Sequence, residues 1–372
     1  MKWKIIKKYL IDKFNNYKNE INIIYKTDEE SEENIFGDKF VKNNKENIKL
    51  IINGNKNELI SKYKLKKIVN NIKIIIKNKI KNLEYMFYKC KLLKNIKESK
   101  YLDTKDINNF SYMFSECSAL IDIKGLKNWN VSNGTDFSFM FKKCSALTNK
   151  KEVKNWNVSN GTDFSHMLSE CSSLLDLKEL EHWNVSNGNN FSYMFSECSK
   201  LPNIKELKNW NVSNGNNFSH IFKICSLLTD VSNGNNFSHM FSECSSLSDL
   251  KELEQWNVSN GNNFSYMFFE CPKLPNIKGL ENWMLRGCSS LSEIKELEHW
   301  NVSNGNNFNI MFKKYSALTD IKELKNWNVS NGINFSYMFY KCSKLSDIKG
   351  LEKWNVSNGT DFQAIFSEWH YY

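Results

Sequence analysis

The sequence predicts an α/β solenoid of about twelve rungs behind an N-terminal α+β cap. Three observations carry that expectation. A segment ending in Met-Phe-x-x-Cys or a close variant recurs every 27 residues, from Cys90 through Cys117, Cys144, Cys171 and Cys198 to Cys225. All ten cysteines fall in this one column, which continues at Cys244, Cys271, Cys288 and Cys342, with Tyr315 and Trp369 taking the same slot. Between successive cysteines, apolar residues stand three apart, as at Leu201, Ile204, Leu207 and Trp210, which suits neither a long helix nor a regular strand. That spacing fits a coil that turns a corner every few residues, and a fixed period of this length marks a repeat architecture.

Residues 1–18 read as a basic amphipathic helix, with Trp3, Ile6, Leu10, Phe14 and Tyr17 on one stripe. Residues 19–85 read as a β-rich cap over the first rung. Within it, IKLII and NKNEL flank Asn53-Gly54, a strong hairpin signal. Residues 62–82 alternate Lys with Ile or Val, as half-buried strands with a basic outer face would. Residues 86–372 are the repeat array. In each tile a short strand-like segment leads to an Asn-Gly turn such as Asn187-Gly188, where Gly accepts positive φ. Asn190 then stands as an N-cap, and Phe191, Met194, Phe195 and Cys198 follow at 0, 3, 4 and 7, the spacing of about two helical turns with one buried face. No tile can bury that face alone, so stacking must supply the core. Two rungs are short, Cys225 to Cys244 and Cys271 to Cys288, and local distortion is expected near 226–232 and 283–288. The last rung has little beyond Phe366, Trp369, Tyr371 and Tyr372 to close it, so self-association is an expectation at that end.

Cys-Ser-x-Leu-x-x-Ile-x-x-Leu-x-x-Trp-Asn-x-Ser-Asn, followed by Phe-Ser-x-Met-Phe-x-x-Cys, resembles the BspA-like leucine-rich repeats of bacterial and protist surface proteins. The resemblance covers roughly residues 81–369, and residues 35–59 resemble the leader that precedes such arrays in protist members. It implies a leucine-rich-repeat solenoid used for protein contacts, with no catalytic residues. The Gly after Ser-Asn departs from the family, where Val is usual.

An even number of cysteines invites a disulfide reading, but one per tile in a single column argues for a packing slot of small apolar thiols. Tyr315 and Trp369 in that column fit packing and cannot fit a bridge. The sequons Asn184-Val-Ser and Asn190-Phe-Ser recur because the tile recurs. Asn184 and its equivalents Asn130, Asn157, Asn211, Asn257, Asn301, Asn328 and Asn355 are expected to form an internal ladder to turn backbone.

Two further columns are candidate surfaces. One is a charged strip of Lys178, Glu179, Lys205, Glu206, Lys251, Glu252, Lys295, Glu296, Lys322 and Glu323. The other is an exposed aromatic and imidazole column of His166, Tyr193, His220, His239 and Tyr266. His220 and His239 on adjacent rungs make a metal pair conceivable, but an exposed ring column is the expected reading. No phosphate-binding loop, zinc-protease motif or nucleophile elbow is present, so no enzyme, metal, cofactor or small-molecule substrate is expected.

The net charge of +10 is concentrated in residues 1–100, which hold 25 Lys against 12 acidic residues, so an anionic surface or nucleic acid would meet that quarter. The first expectation is a non-enzymatic protein-interaction scaffold. A surface adhesin and a membrane-surface or nucleic-acid-associated protein are the alternatives. Without a visible export signal the expected compartment is the cytoplasm, or the cell surface if the N-terminus is incomplete.

Overall fold

In the computed structural model, residues 20–78, 80, 82–97, 103–148, 150–201, 207, 210–221, 234–242, 258–269, 294 and 297–367 are described. The predicted N-terminal helix, the distorted segments near 226–232 and 283–288, and Trp369, Tyr371 and Tyr372 lie outside them. The chain divides into two units, Met1–Leu175 with His182–Asn184, and Asp176–Glu181 with Val185–Tyr372.

The first unit opens on β1 (Glu20–Thr27), β2 (Ser31–Asn34), α1 (Asp38–Asn44), β3 (Ile48–Ile52), β4 (Asn55–Glu58), β5 (Lys62–Leu65) and β6 (Ile68–Ile76). A further strand, β7 (Leu93–Ile96), completes a five-stranded sheet in the order β4-β3-β6-β1-β7, while β2 and β5 form a separate pair. The alternation of Ile with polar residues sends Ile21, Ile23, Ile48, Leu50, Ile72 and Ile74 to the core, each at most 1% exposed. The β3–β4 hairpin turns at Asn53-Gly54 with both residues at positive φ, 48° and 90°, as its sequence demands.

In both units the repeats stack through parallel single-residue bridges. They join Asn82, Asn109, Asp136 and Asp163 in the first, and Asn190, Asn217, Asn236, Asn263, Asn307, Asn334 and Asp361 in the second. The 19-residue step keeps the ladder, with the Phe218 N–H donating to the Asn236 carbonyl at 3.0 Å. From Asn263 the ladder passes directly to Asn307.

Among the described residues the helix predicted in each tile does not form. From Phe110 to Cys117 two hydrogen-bond sets interleave. The N–H groups of Phe110, Tyr112, Phe114 and Glu116 donate to Asp136, Ser138, Met140 and Lys142 of the next repeat at 2.7–3.0 Å. Those of Met113, Ser115 and Cys117 donate three residues back within the arc at 3.0–3.3 Å. This geometry needs left-handed backbone at Tyr112 (φ 56°) and Glu116 (φ 64°), which no α-helix tolerates. An isolated helix this short is marginal in water, whereas the arc gives half its donors to a neighbour and still buries Phe110, Met113, Phe114 and Cys117 completely.

The α/β leucine-rich-repeat solenoid is therefore corrected. Among the described residues the regular structure is two antiparallel sheets, one α-helix and short 3-10 turns. Those 3-10 turns, such as Lys124–Leu126 and Lys322–Asn326, stand where the strand-like segment of the tile was expected. Their inward side chains keep the three-residue spacing: Leu120, Ile123, Leu126 and Trp129 are all buried.

Candidate functional site

The columns of identical residues set the site. Phe110, Phe137 and Phe164 stack at 5.4 and 5.6 Å, and Phe308, Phe335 and Phe362 at 5.4 Å. Each buried Phe removes enough apolar surface to contribute about 1.5–3 kcal/mol. Trp156, Trp183, Trp210, Trp327 and Trp354 each turn the ring N–H to a carbonyl thirty residues earlier, as Trp183 to Val153 at 2.9 Å and Trp327 to Leu297 at 2.8 Å. Cys90, Cys117, Cys144, Cys171, Cys198 and Cys342 are free and buried. Cys117, Cys144, Cys171 and Cys342 donate to Phe carbonyls of the preceding repeat at 3.0–3.2 Å. In the same slot the Tyr315 hydroxyl reaches the Phe268 carbonyl at 3.0 Å, so a larger side chain makes the same bond. Burial pushes the Cys90 and Cys342 thiols up to about 12, out of the reactive range. Cys225, Cys244, Cys271 and Cys288 lie outside the described residues.

The predicted Asn ladder is in a different column. Asn130, Asn157, Asn184, Asn211, Asn301, Asn328 and Asn355 are exposed, not internal. Asn130, Asn157, Asn211, Asn301, Asn328 and Asn355 each turn the side-chain oxygen to the N–H of the Ser two residues on, at 3.0–3.1 Å. The bonds between repeats come from the Asn before each Gly. The Asn160, Asn214 and Asn331 amides donate to the Ser132, Ser186 and Ser303 carbonyls at 2.6–2.7 Å. The sequence marks the second Asn as the turn residue before Gly, but not that its amide reaches the neighbouring repeat while the first Asn, before Val, stays with its own turn.

Half-buried along the arc lies the ring column. In the second unit Tyr193, His220, His239 and Tyr266 stack face to face at 4.1, 4.2 and 4.3 Å, tilted by 11–13°. His166 belongs to a matching run in the first unit, where Tyr85, Tyr112, Phe139 and His166 stack at 4.6, 4.3 and 4.3 Å. Every one of these eight residues has φ between 54° and 60°. The left-handed backbone thus places one half-buried ring per repeat in these runs, and the bridge spacing brings the rings into contact. Lys39 from α1 covers the Tyr85 face at 4.7 Å and pairs with Glu84. That cap was not foreseen, since nothing near Lys39 in sequence marks its target. Burial, with Lys142 adding to it, lowers the His166 pKa to about 4, so its ring is neutral at pH 7. Burial likewise raises Tyr112 to about 12. His220 and His239 lie nearly parallel, so their in-plane lone pairs do not converge on one ion. No group of three His, Cys, Asp or Glu among the described residues could hold a metal.

The charged strip comes apart. Lys178 and Lys322 are exposed, but Glu179 is half-buried and Glu323 is buried, 5% exposed, with Oε2 lacking a hydrogen-bond partner. Burial raises the Glu323 pKa. Each lysine instead follows an Asp: Asp176, Asp320 and Asp347 accept the N–H groups of Lys178, Lys322 and Lys349 at 2.6–3.3 Å. In other repeats the slot of Glu179 and Glu323 holds Gly125 and Gly350, where a Cβ would overlap the preceding repeat. Lys205, Glu206, Lys251, Glu252, Lys295 and Glu296 lie outside the described residues.

These features define a repeat protein whose tiles are stacked turns with a run of four stacked rings in each unit. The chain belongs to the family described as Mycoplasma protein of unknown function, DUF285, which it matches over residues 55–175, 148–233, 229–294 and 276–371. No curated protein and no solved structure matches it.

Proposed function

We propose that the chain is a non-enzymatic protein–protein interaction scaffold and that the half-buried ring column is its recognition surface. The observation that carries this is the Tyr193–His220–His239–Tyr266 run, four half-buried rings in contact at 4.1–4.3 Å. Such a run offers apolar faces, phenol hydroxyls and imidazole nitrogens in one line. Aromatic side chains with a polar edge are the residues that dominate protein interfaces. Among the described residues no helix is long and apolar enough to cross a membrane, which leaves the compartment open.

A photo-crosslinking residue placed at Tyr193 or Tyr266 in the native host tests this. The expected result is crosslinks to a protein at these positions, with none from the same residue placed at Lys322. Crosslinks from Lys322 alone would move the binding surface to the lysine column. A narrower reading, a surface adhesin of BspA-like type, is supported by the recurring Trp-Asn-x-Ser-Asn and Met-Phe-x-x-Cys motifs. Protease shaving of intact cells tests it: loss of the chain is expected of an adhesin, and survival would remove that reading.

A further inference from the structure

The sequence holds ten Asn-Gly pairs, nine in the repeats and one, Asn53-Gly54, in the β3–β4 hairpin. Asn-Gly is a dipeptide prone to react with itself. The Gly nitrogen gives up its proton to base and attacks the carbonyl carbon of the Asn side chain, and ammonia leaves. The succinimide so formed takes up water and opens to Asp or isoaspartate. The nitrogen must be reachable by base, free of a hydrogen bond and able to turn toward that carbon.

In the repeats these conditions fail together. The N–H groups of Gly134, Gly161, Gly215, Gly305 and Gly332 each donate to the carbonyl of the Val three residues earlier at 2.8 Å. All five glycines are buried, and a Cβ on any of them would overlap the ring of the Phe three residues on. The Asn side chains are tied as well: Asn133, Asn160, Asn214, Asn304 and Asn331 donate to carbonyls of a neighbouring repeat at 2.6–2.8 Å. The hairpin differs at the nucleophile. Gly54 is exposed, its N–H makes no hydrogen bond among the described residues, and a Cβ there would meet nothing within 4 Å beyond its chain neighbours. Asn53 Oδ1 accepts the Asn71 N–H at 3.0 Å, which draws electron density from the carbon to be attacked. Asn53 Nδ2 donates to Asn70 Oδ1 at 3.0 Å. These two bonds hold the side chain, so the motion that closes the ring falls to Gly54, which has the space for it.

We propose that Asn53-Gly54 is a self-modifying site of the folded chain, converting to Asp or isoaspartate and loosening the sheet there, while stacking preserves the Asn-Gly pairs of the repeats as amides. The product bears on the fold. A carboxylate at position 53 sets an acceptor against Asn70 Oδ1 where the amide N–H stood. Asn70 is fully buried, and its oxygen already accepts the Lys66 N–H at 2.9 Å, so the two acceptors oppose each other at the end of the hairpin. Isoaspartate goes further. It adds a methylene to the main chain between Ile52 and Asn55, which are paired, and so breaks the two-residue turn that sets the β3–β4 register.

The test is peptide mapping by mass spectrometry after the full chain has stood in mildly alkaline buffer, beside a sample kept unfolded in denaturant. In the folded chain, conversion at Asn53 is expected to run at least about tenfold ahead of Asn133, Asn160, Asn214, Asn304 and Asn331, the factor that one hydrogen bond to be broken adds to a barrier. In the unfolded sample the six sites should convert at similar rates. Asn53→Asp, which copies one product, should lower Tm by a few degrees. Conversion led by a repeat site, equal rates at all six sites in the folded chain, an Asn53 that stays an amide, or an unchanged Tm for Asn53→Asp would overturn the proposal.

Discussion

Gly188 and its equivalents are small for a reason the sequence does not state. Asn-Gly suggests a turn at positive φ, yet Gly54 is the one described glycine in that region. At Gly188 a Cβ would overlap the tip of the Phe191 ring and stand 3.0 Å from the Val185 carbonyl. Space, not dihedral freedom, selects Gly. Gly188→Ala should therefore cost about 1–3 kcal/mol by overpacking. Adding Phe191→Leu should recover part of that loss in a denaturant titration, whereas a φ requirement would leave it unrecovered. The reverse holds at Lys143, which is exposed at φ 59°. Lys143→Gly should be neutral or stabilising by up to about 1 kcal/mol, while Lys142→Gly next to it should destabilise by about that amount. Equal losses at both positions would deny the left-handed assignment.

At the scale of the element, the sequence identified the buried residues and misread the backbone that buries them. The spacing of Phe191, Met194, Phe195 and Cys198 predicts one helical face, and all four are buried. The 0, 3, 4, 7 spacing is shared by a helix and by an arc of consecutive tight turns, and hydrophobic periodicity cannot separate them. What decides is the neighbouring repeat, which accepts every second N–H of the arc. The hairpin at Asn53-Gly54 was legible because its signal is local. The ring column was legible by register alone, and its contacts follow from the stacking. The Asp partner of each surface lysine, the inward Glu323 and the Lys39 cap were not, since each depends on which side of a turn faces the adjacent repeat. Far-UV circular dichroism should accordingly show almost no α-helical signal beyond a segment the size of α1, if residues 1–18 are removed. A strong helical minimum would contradict the arc.

Across each unit, burial of titratable groups sets the pH range of stability. The His166 pKa is depressed in the fold to about 4, so its contribution is complete above the unfolded value of about 6.5 and is lost as pH falls toward 4. The thiols act at the other end. With Cys90 and Cys342 raised to about 12, their contribution is complete below about 8.5 and is lost as pH rises toward 12. Thermal unfolding from pH 4 to 11 should give a plateau between these limits. His166→Phe, which copies Phe139 in the same column, should flatten the acid side, and an unchanged acid limb would assign that limb to other groups.

On the proposed function, the rings of Tyr193, His220, His239 and Tyr266 meet a partner protein. Hydroxyl-radical footprinting of Tyr193, His220, His239 and Tyr266 in intact cells of the native host, compared with the purified chain, addresses it most directly. Oxidation of all four is expected in the purified chain, with coordinated protection of the run in cells. Equal oxidation in both would contradict it.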